Sequence, residues 1–92
     1  MQSKAITATG TQIAGQAGKK IAVYAVALTL AAAGTAQFLS DDTALSGAIS
    51  FDANGGLVLP NTGNPYFTTS VGDPLVLTTT VAVAGFLTYR II

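Results

Sequence analysis

Lys20-Ile21-Ala22-Val23-Tyr24-Ala25-Val26-Ala27-Leu28-Thr29-Leu30-Ala31 is the stretch that decides the fold. Its even positions carry Tyr24, Val26, Leu28 and Leu30, while its odd positions carry Ile21, Val23, Ala25, Ala27 and Thr29. Bulky side chains at every second residue follow the period of a strand; a helical stripe recurs every three to four. Both parities are apolar, and a strand of that kind belongs in the middle of a sheet with cover on both faces. Tyr24, Val26, Leu28 and Leu30 are therefore expected to form core and subunit interface, one side of the strand meeting an opposing sheet and the other a further copy of the chain.

A targeting segment competes for the same residues. Lys19-Lys20, the apolar run and the small residues Gly34-Thr35-Ala36 have the layout of a secretory signal. Against it, the stretch ahead of the lysines is 18 residues long and Thr-rich, and Tyr24 and Thr29 interrupt the apolar run. Ile21 to Ala36 spans 16 residues, short of the ~20 that a membrane-crossing helix needs. A buried strand accounts for the segment better, and no membrane partner is expected.

Outward from this strand, alternation and turn signals cut the chain into short pieces. Strands are expected over 4–11, 35–40, 47–51, 56–59, 66–69, 75–81 and 84–92, with 12–18 a loop or a broken strand. Asp41-Asp42, Asn54-Gly55-Gly56, Asn61 to Pro65 and Gly72-Asp73-Pro74 mark the turns. Asn54-Gly55 reads as a hairpin, because Asn and Gly tolerate positive φ, and the last two strands read as another. The sum is an all-β domain of seven to nine short strands, a small antiparallel β-sandwich or jelly-roll-like fold. Residues 18–92 make the sandwich, and residues 1–17 an N-terminal arm or a first strand.

Composition narrows the chemistry. Half of the 92 residues are hydrophobic and 9% are charged, against about 25% in an average soluble domain. His, Cys, Glu and Trp are absent, the acids are Asp41, Asp42, Asp52 and Asp73, and the bases are Lys4, Lys19, Lys20 and Arg90. Nucleic-acid binding needs a surplus of Lys and Arg, and four bases here balance four acids. A small fold without disulfides or metal ligands commonly gains stability by association.

Three constellations merit weighing. Asp41, Asp42, Asp52 and Asn54 offer oxygen ligands for calcium but lack EF-hand spacing, so no metal and no cofactor is expected. Ser3 with Lys4, or Ser40 with Asp41, offers a nucleophile without a histidine to activate it, so the chain is not expected to be an enzyme. Asn64, Tyr66 and Phe67, with Phe86 and Tyr89 behind them, offer an aromatic platform for sugar.

G-A-I-S-F-D-A-N-G-G-L-V-L-P (47–60), N-P-Y-F-T-T-S-V-G-D-P-L-V-L (64–77) and V-A-V-A-G-F-L-T-Y-R (81–90), preceded by G-K-K-I-A-V-Y-A-V-A-L-T-L (18–30), resemble small β-rich virion proteins of tailed bacteriophages, of the capsid cement or decoration type. The resemblance covers roughly residues 18–92 and consists of turns and hydrophobic positions, with no chemical motif. It implies a head-surface protein of the virion, a homotrimer seated on the major capsid protein, without nucleic acid or membrane as partner. The polar segment 2–16, through Lys4, Ile6, Thr9 and Thr11, is the expected capsid contact. A glycan- or receptor-binding tip module using Asn64, Tyr66 and Phe67, and a small tail or neck component, are the alternatives.

Overall fold

A computed structural model describes residues 2–92; Met1, part of the expected arm, lies outside the described residues. The strands are β1 (Gln2–Ile6), β2 (Gly10–Ile13), β3 (Ile21–Leu30), β4 (Gly34–Ser40), β5 (Thr43–Ala44), β6 (Ile49–Phe51), β7 (Gly56–Leu59), β8 (Phe67–Thr68), β9 (Leu75–Thr79) and β10 (Val83–Ile91). One sheet runs β1-β10-β3-β7 with β8 also on β3, and the other runs β2-β9-β4-β5 with β6 also on β4. All pairings are antiparallel. No helix of the described residues is long and apolar enough to cross a membrane.

Register shows that two pairs of short segments are interrupted single strands. β7 lies along Val26–Thr29 and β8 along Ala22–Val23, so both continue down one flank of β3 while residues 60–66 loop out between them. β5 and β6 likewise share one flank of β4. Counted by partner, each sheet has four strands, β1-β10-β3-β7/β8 and β2-β9-β4-β5/β6. Eight antiparallel strands divided this way, with the chain crossing between sheets at most connections, make a jelly roll.

The core lies between the sheets. Ile6, Ile21, Val23, Val26, Leu28, Leu30, Val83 and Leu87 from one sheet meet Ile13, Ala36, Phe38, Leu75 and Leu77 from the other, all buried. Phe67 closes one side by stacking on Phe38, ring centroids 4.9 Å apart. Full burial of each large aliphatic or aromatic side chain contributes about 1.5–3 kcal/mol. The buried polar residues Gln12, Ser40 and Thr69 are bonded, whereas the buried Thr88 hydroxyl has no partner among the described residues. The Thr69 hydroxyl accepts from the Ile21 N–H at 2.9 Å, and Gln12 donates to the Ala8 and Gly10 carbonyls.

A β-bulge in β3 corrects the expected face assignment. The ladder with β10 runs Val26↔Leu87 and Thr88↔Ala25, then Tyr89↔Val23, passing over Tyr24. One extra residue on β3 switches which parity faces inward. Below the bulge Ile21 and Val23 point into the core; above it Val26, Leu28 and Leu30 do. Tyr24 leaves the core set and sits beneath the Arg90 guanidinium, 5.8 Å from ring to cation.

Other local expectations change through the sheet crossings. Asn54 does take positive φ (62°), yet its turn carries the chain from β6 in one sheet to β7 in the other and forms no hairpin. β9 and β10 also lie in different sheets. The expected strand 4–11 breaks at Thr7–Thr9 into β1 and β2, one per sheet. Of the two expectations for residues 1–17, the strand describes their first part: β1 pairs with β10, and Ile6 and Ile13 belong to the core.

Where β10 crosses β3, a Cβ on Gly85 would collide with the Ala27 carbonyl oxygen, at a φ of 157°. Gly85→Ala should therefore cost about 3 kcal/mol by forcing the two central strands apart. Phe38→Ala should cost about 3–5 kcal/mol through the cavity it leaves. Urea unfolding followed by far-ultraviolet circular dichroism checks both.

Candidate functional site

The topology sorts the charged residues. Loops 14–20, 41–42 and 69–74 meet at one end of the sandwich. There Gly72 donates to the Lys19 carbonyl and Asp41 to that of Pro74, and the Ser40 hydroxyl donates to Asp73 at 2.8 Å while accepting from the Ser70 N–H. Lys19, Lys20, Asp41, Asp42 and Asp73 all lie here. The opposite end, built from 7–9, 31–33, 52–55 and 80–82, is drawn together by the Ala31 N–H on Ala82 and the Leu30 N–H on Gly55. Asp52 is its one charge.

Between these ends, the outer face of the β1-β10-β3-β7 sheet carries an apolar row, flanked on one side by Ser3 and Thr88 and farther on by Arg90. Directly opposed residues on antiparallel strands share a face, so the ladders place Ala5, Phe86, Ala27 and Val58 in one row across four strands. Val58 is 73% exposed and Phe86 50%. The next row holds Ala84, Thr29 and Gly56. A hollow of about 360 Å³ opens between the two large side chains, with Ala27, Gly56 and Gly85 among its walls. The outer face of the other sheet carries Thr11, Thr35, Gln37, Ser50 and Thr78, with Leu39 and Val76 half-buried. An exposed apolar row on a sheet face suits docking to another surface.

The expected site residues are scattered by this arrangement. Val26, Leu28 and Leu30 are at most 3% exposed inside a single chain, so they are core and cannot touch another copy; Tyr24 alone of that set reaches the surface. Ile6, expected at a capsid contact, is also core at 1% exposure. Lys4 is exposed on edge strand β1, opposite Leu87. Thr11 is exposed on β2. The Thr9 hydroxyl is already engaged, donating to the Leu77 carbonyl and accepting from the Thr79 N–H.

The aromatic platform does not assemble. Phe67 turns inward onto Phe38, while Tyr66 faces out and its hydroxyl donates to the Pro60 carbonyl at 2.7 Å, closing loop 60–66 with Asn64 exposed at its rim. The calcium constellation is divided as well, Asp41 and Asp42 at one end of the sandwich and Asp52 and Asn54 at the other. Ser40 pairs with Asp73 instead of Asp41 and is 1% exposed, so the bond ties two loops and no solvent reaches the hydroxyl.

Val58 is not among the expected site residues, although Gly56-Leu57-Val58-Leu59 is apolar at both parities, as β3 is. Phe86, expected behind the aromatic platform, lies instead on the outer face by alternation from buried Leu87. Compared with protein-family models, curated proteins and solved structures, the chain has no match.

The opposite orientations of Tyr66 and Phe67 give them different mutational signatures. Phe67→Ala should cost about 3 kcal/mol of stability, and Tyr66→Phe about 1 kcal/mol through the lost hydrogen bond. Denaturant midpoints of the two variants measure the contrast.

Proposed function

We propose that this chain is a virion structural protein of a tailed phage, of the capsid cement type, acting as a homotrimer seated on the major capsid protein at the head surface. The observation that carries the proposal is the uncharged apolar row on an outer sheet face, in a chain whose few ionisable groups are dispersed to loops and strand margins. The resemblance of the turns and hydrophobic positions of residues 18–92 to small phage virion proteins, read from the sequence alone, is in keeping with it. So is the jelly roll, an architecture shared by viral capsid and lectin domains, though fold alone assigns no function.

The action is mechanical, with no catalytic step and no cofactor. A trimer spanning neighbouring capsid subunits adds contact area that must be broken before the shell can open. Specific contacts of about 1,200–2,000 Å² suffice for each association, and repetition over a symmetric shell multiplies their effect by avidity. Edge strand β1, with Lys4 beside it and Thr11 on neighbouring β2, faces the shell and offers free backbone groups for strand addition.

Co-expression with the major capsid protein from the same genome tests this. The chain should co-sediment with assembled shells at high copy and raise the temperature at which they open. Shells that sediment without it, or open at an unchanged temperature when carrying it, overturn the assignment.

A further inference from the structure

Strand β1 holds its place by one ladder and one buried side chain. Within its sheet it pairs with β10 alone, and of Gln2–Ile6 only Ile6 is buried. Segments with few buried apolar groups open at the lowest free energy. Lifting β1 leaves the β10–β3 ladder whole, since β10 meets β3 on its other flank. What it uncovers is the outer edge of Val83–Ile91, and the structure shows what fits that edge. Gln2–Ile6 seats there in the register Gln2↔Tyr89 to Ile6↔Gly85, with the Tyr89 hydroxyl donating to Gln2 Oε1 at 2.7 Å.

The bend that brings β1 onto its own β10 runs against local preference. Ala5-Ile6-Thr7-Ala8-Thr9 contains no Gly, Pro, Asn or Asp, the residues that favour turns, and threonine favours extended backbone. Side chains hold the bend instead. Gln12 Nε2 donates to the Ala8 and Gly10 carbonyls at 2.8 and 3.1 Å, and the Thr9 hydroxyl bridges the Leu77 carbonyl and the Thr79 N–H. Gly10 completes it with a φ of 114°, a value glycine takes readily and exchanges as readily for an extended one. Straightened through Thr7–Thr9, the segment becomes the single strand that its alternation over 4–11 favours, and it carries Gln2–Ile6 away from its own sheet.

We propose that copies of this chain exchange β1: the segment swings out at Thr7–Gly10, and Gln2–Ile6 of one copy takes the seat on β10 of the next. This rests on the self-association put forward under Proposed function, and it names the element that performs it. Every β1–β10 contact reappears between chains, as in other exchanges of an identical element, and the bonds made by Gln12 and Thr9 are what opening gives up. Donor strand and acceptor edge are different surfaces, so each copy gives one strand and receives one. A head-to-tail contact of this kind closes into a ring, and three copies make the trimer.

The chain has no cysteine, so an introduced pair reports which chain supplies β1. Ser3 and Thr88 are directly opposed, and Cα atoms of such pairs lie about 4.5–5.5 Å apart, within reach of a disulfide. The Thr88 hydroxyl has no partner among the described residues, so replacing it breaks no bond. At about 100 μM, a concentration that saturates contacts of micromolar Kd, sedimentation equilibrium should give three chains of 9.2 kDa for the wild type and for Ser3→Cys/Thr88→Cys alike. After mild oxidation, denaturing electrophoresis without reductant should show the double variant as a covalently linked trimer. An assembled double variant that runs as single chains overturns the exchange and leaves self-association standing. A monomeric wild type overturns self-association and the exchange with it. Ala5→Cys/Phe86→Cys, opposed on the same ladder, carries the same readout if the first pair does not fold.

The hinge gives a test of opposite sign. A Cβ at Gly10 meets nothing within 4 Å, so Gly10→Ala penalises only the φ of the bent form. It should lower the concentration of half-assembly about 10-fold, a shift within the range of one strained backbone position. Sedimentation velocity across a dilution series reads it, and an unchanged or raised concentration overturns the exchange.

Discussion

Strand β3 is the member on which the structure depends, because this longest of the described strands is paired by β10 on one flank and by β7 and β8 on the other. Its bulge at Tyr24 is the accompanying constraint. A ten-residue strand of strict alternation would place either Ile21 and Val23 or Val26, Leu28 and Leu30 outside. The extra residue brings all five into one core and turns Tyr24, Ala25, Ala27 and Thr29 outward. The outer row of the sheet exists because β3 contributes only a small side chain, Ala27, between Phe86 and Val58.

Much of this was legible in the residues. The all-β class, strand β7 and the left-handed residue at Asn54 all follow from alternation and turn chemistry, which act over a few residues. The bulge could not be read, because Tyr24 and Ala25 are both tolerable on either face and the shift is defined only by the facing β10. The hairpins failed for a related reason. Asn54-Gly55 fixes how the backbone reverses, but whether the next strand stays in the sheet or crosses to the other depends on which residues remote in sequence are already paired. Tyr66 and Phe67 teach the opposite lesson. Adjacent residues of a strand point to opposite faces, so a shared platform was already excluded by their spacing.

Electrostatics and packing have separate territories in this molecule. Five charged residues gather around one set of loops, where backbone hydrogen bonds and the Ser40–Asp73 contact hold the turns together. The sheets are left almost free of charge on their outer sides, so little opposes the approach of another apolar surface. The stability of the single chain comes from the sealed interior, with Phe38 inside it and Phe67 closing one side. The two roles fall on different residues, which lets surface positions change without disturbing the fold.

The pairing of β1 with β10 has a kinetic corollary. Gln2 lies beside Tyr89 and Ile6 beside Gly85, and β10 is wedged between β1 and β3, so β1 has no sheet partner and β3 lacks one on that flank until Val83–Ile91 arrives. On a ribosome those residues emerge after β1 through β9, and the greasy β3 waits unpartnered on that flank in the meantime. Ladders between remote segments also form slowly, since loop closure must precede any reward. Such a sheet is completed only when β10 has emerged, and the interval before then is when chaperones matter most to the yield.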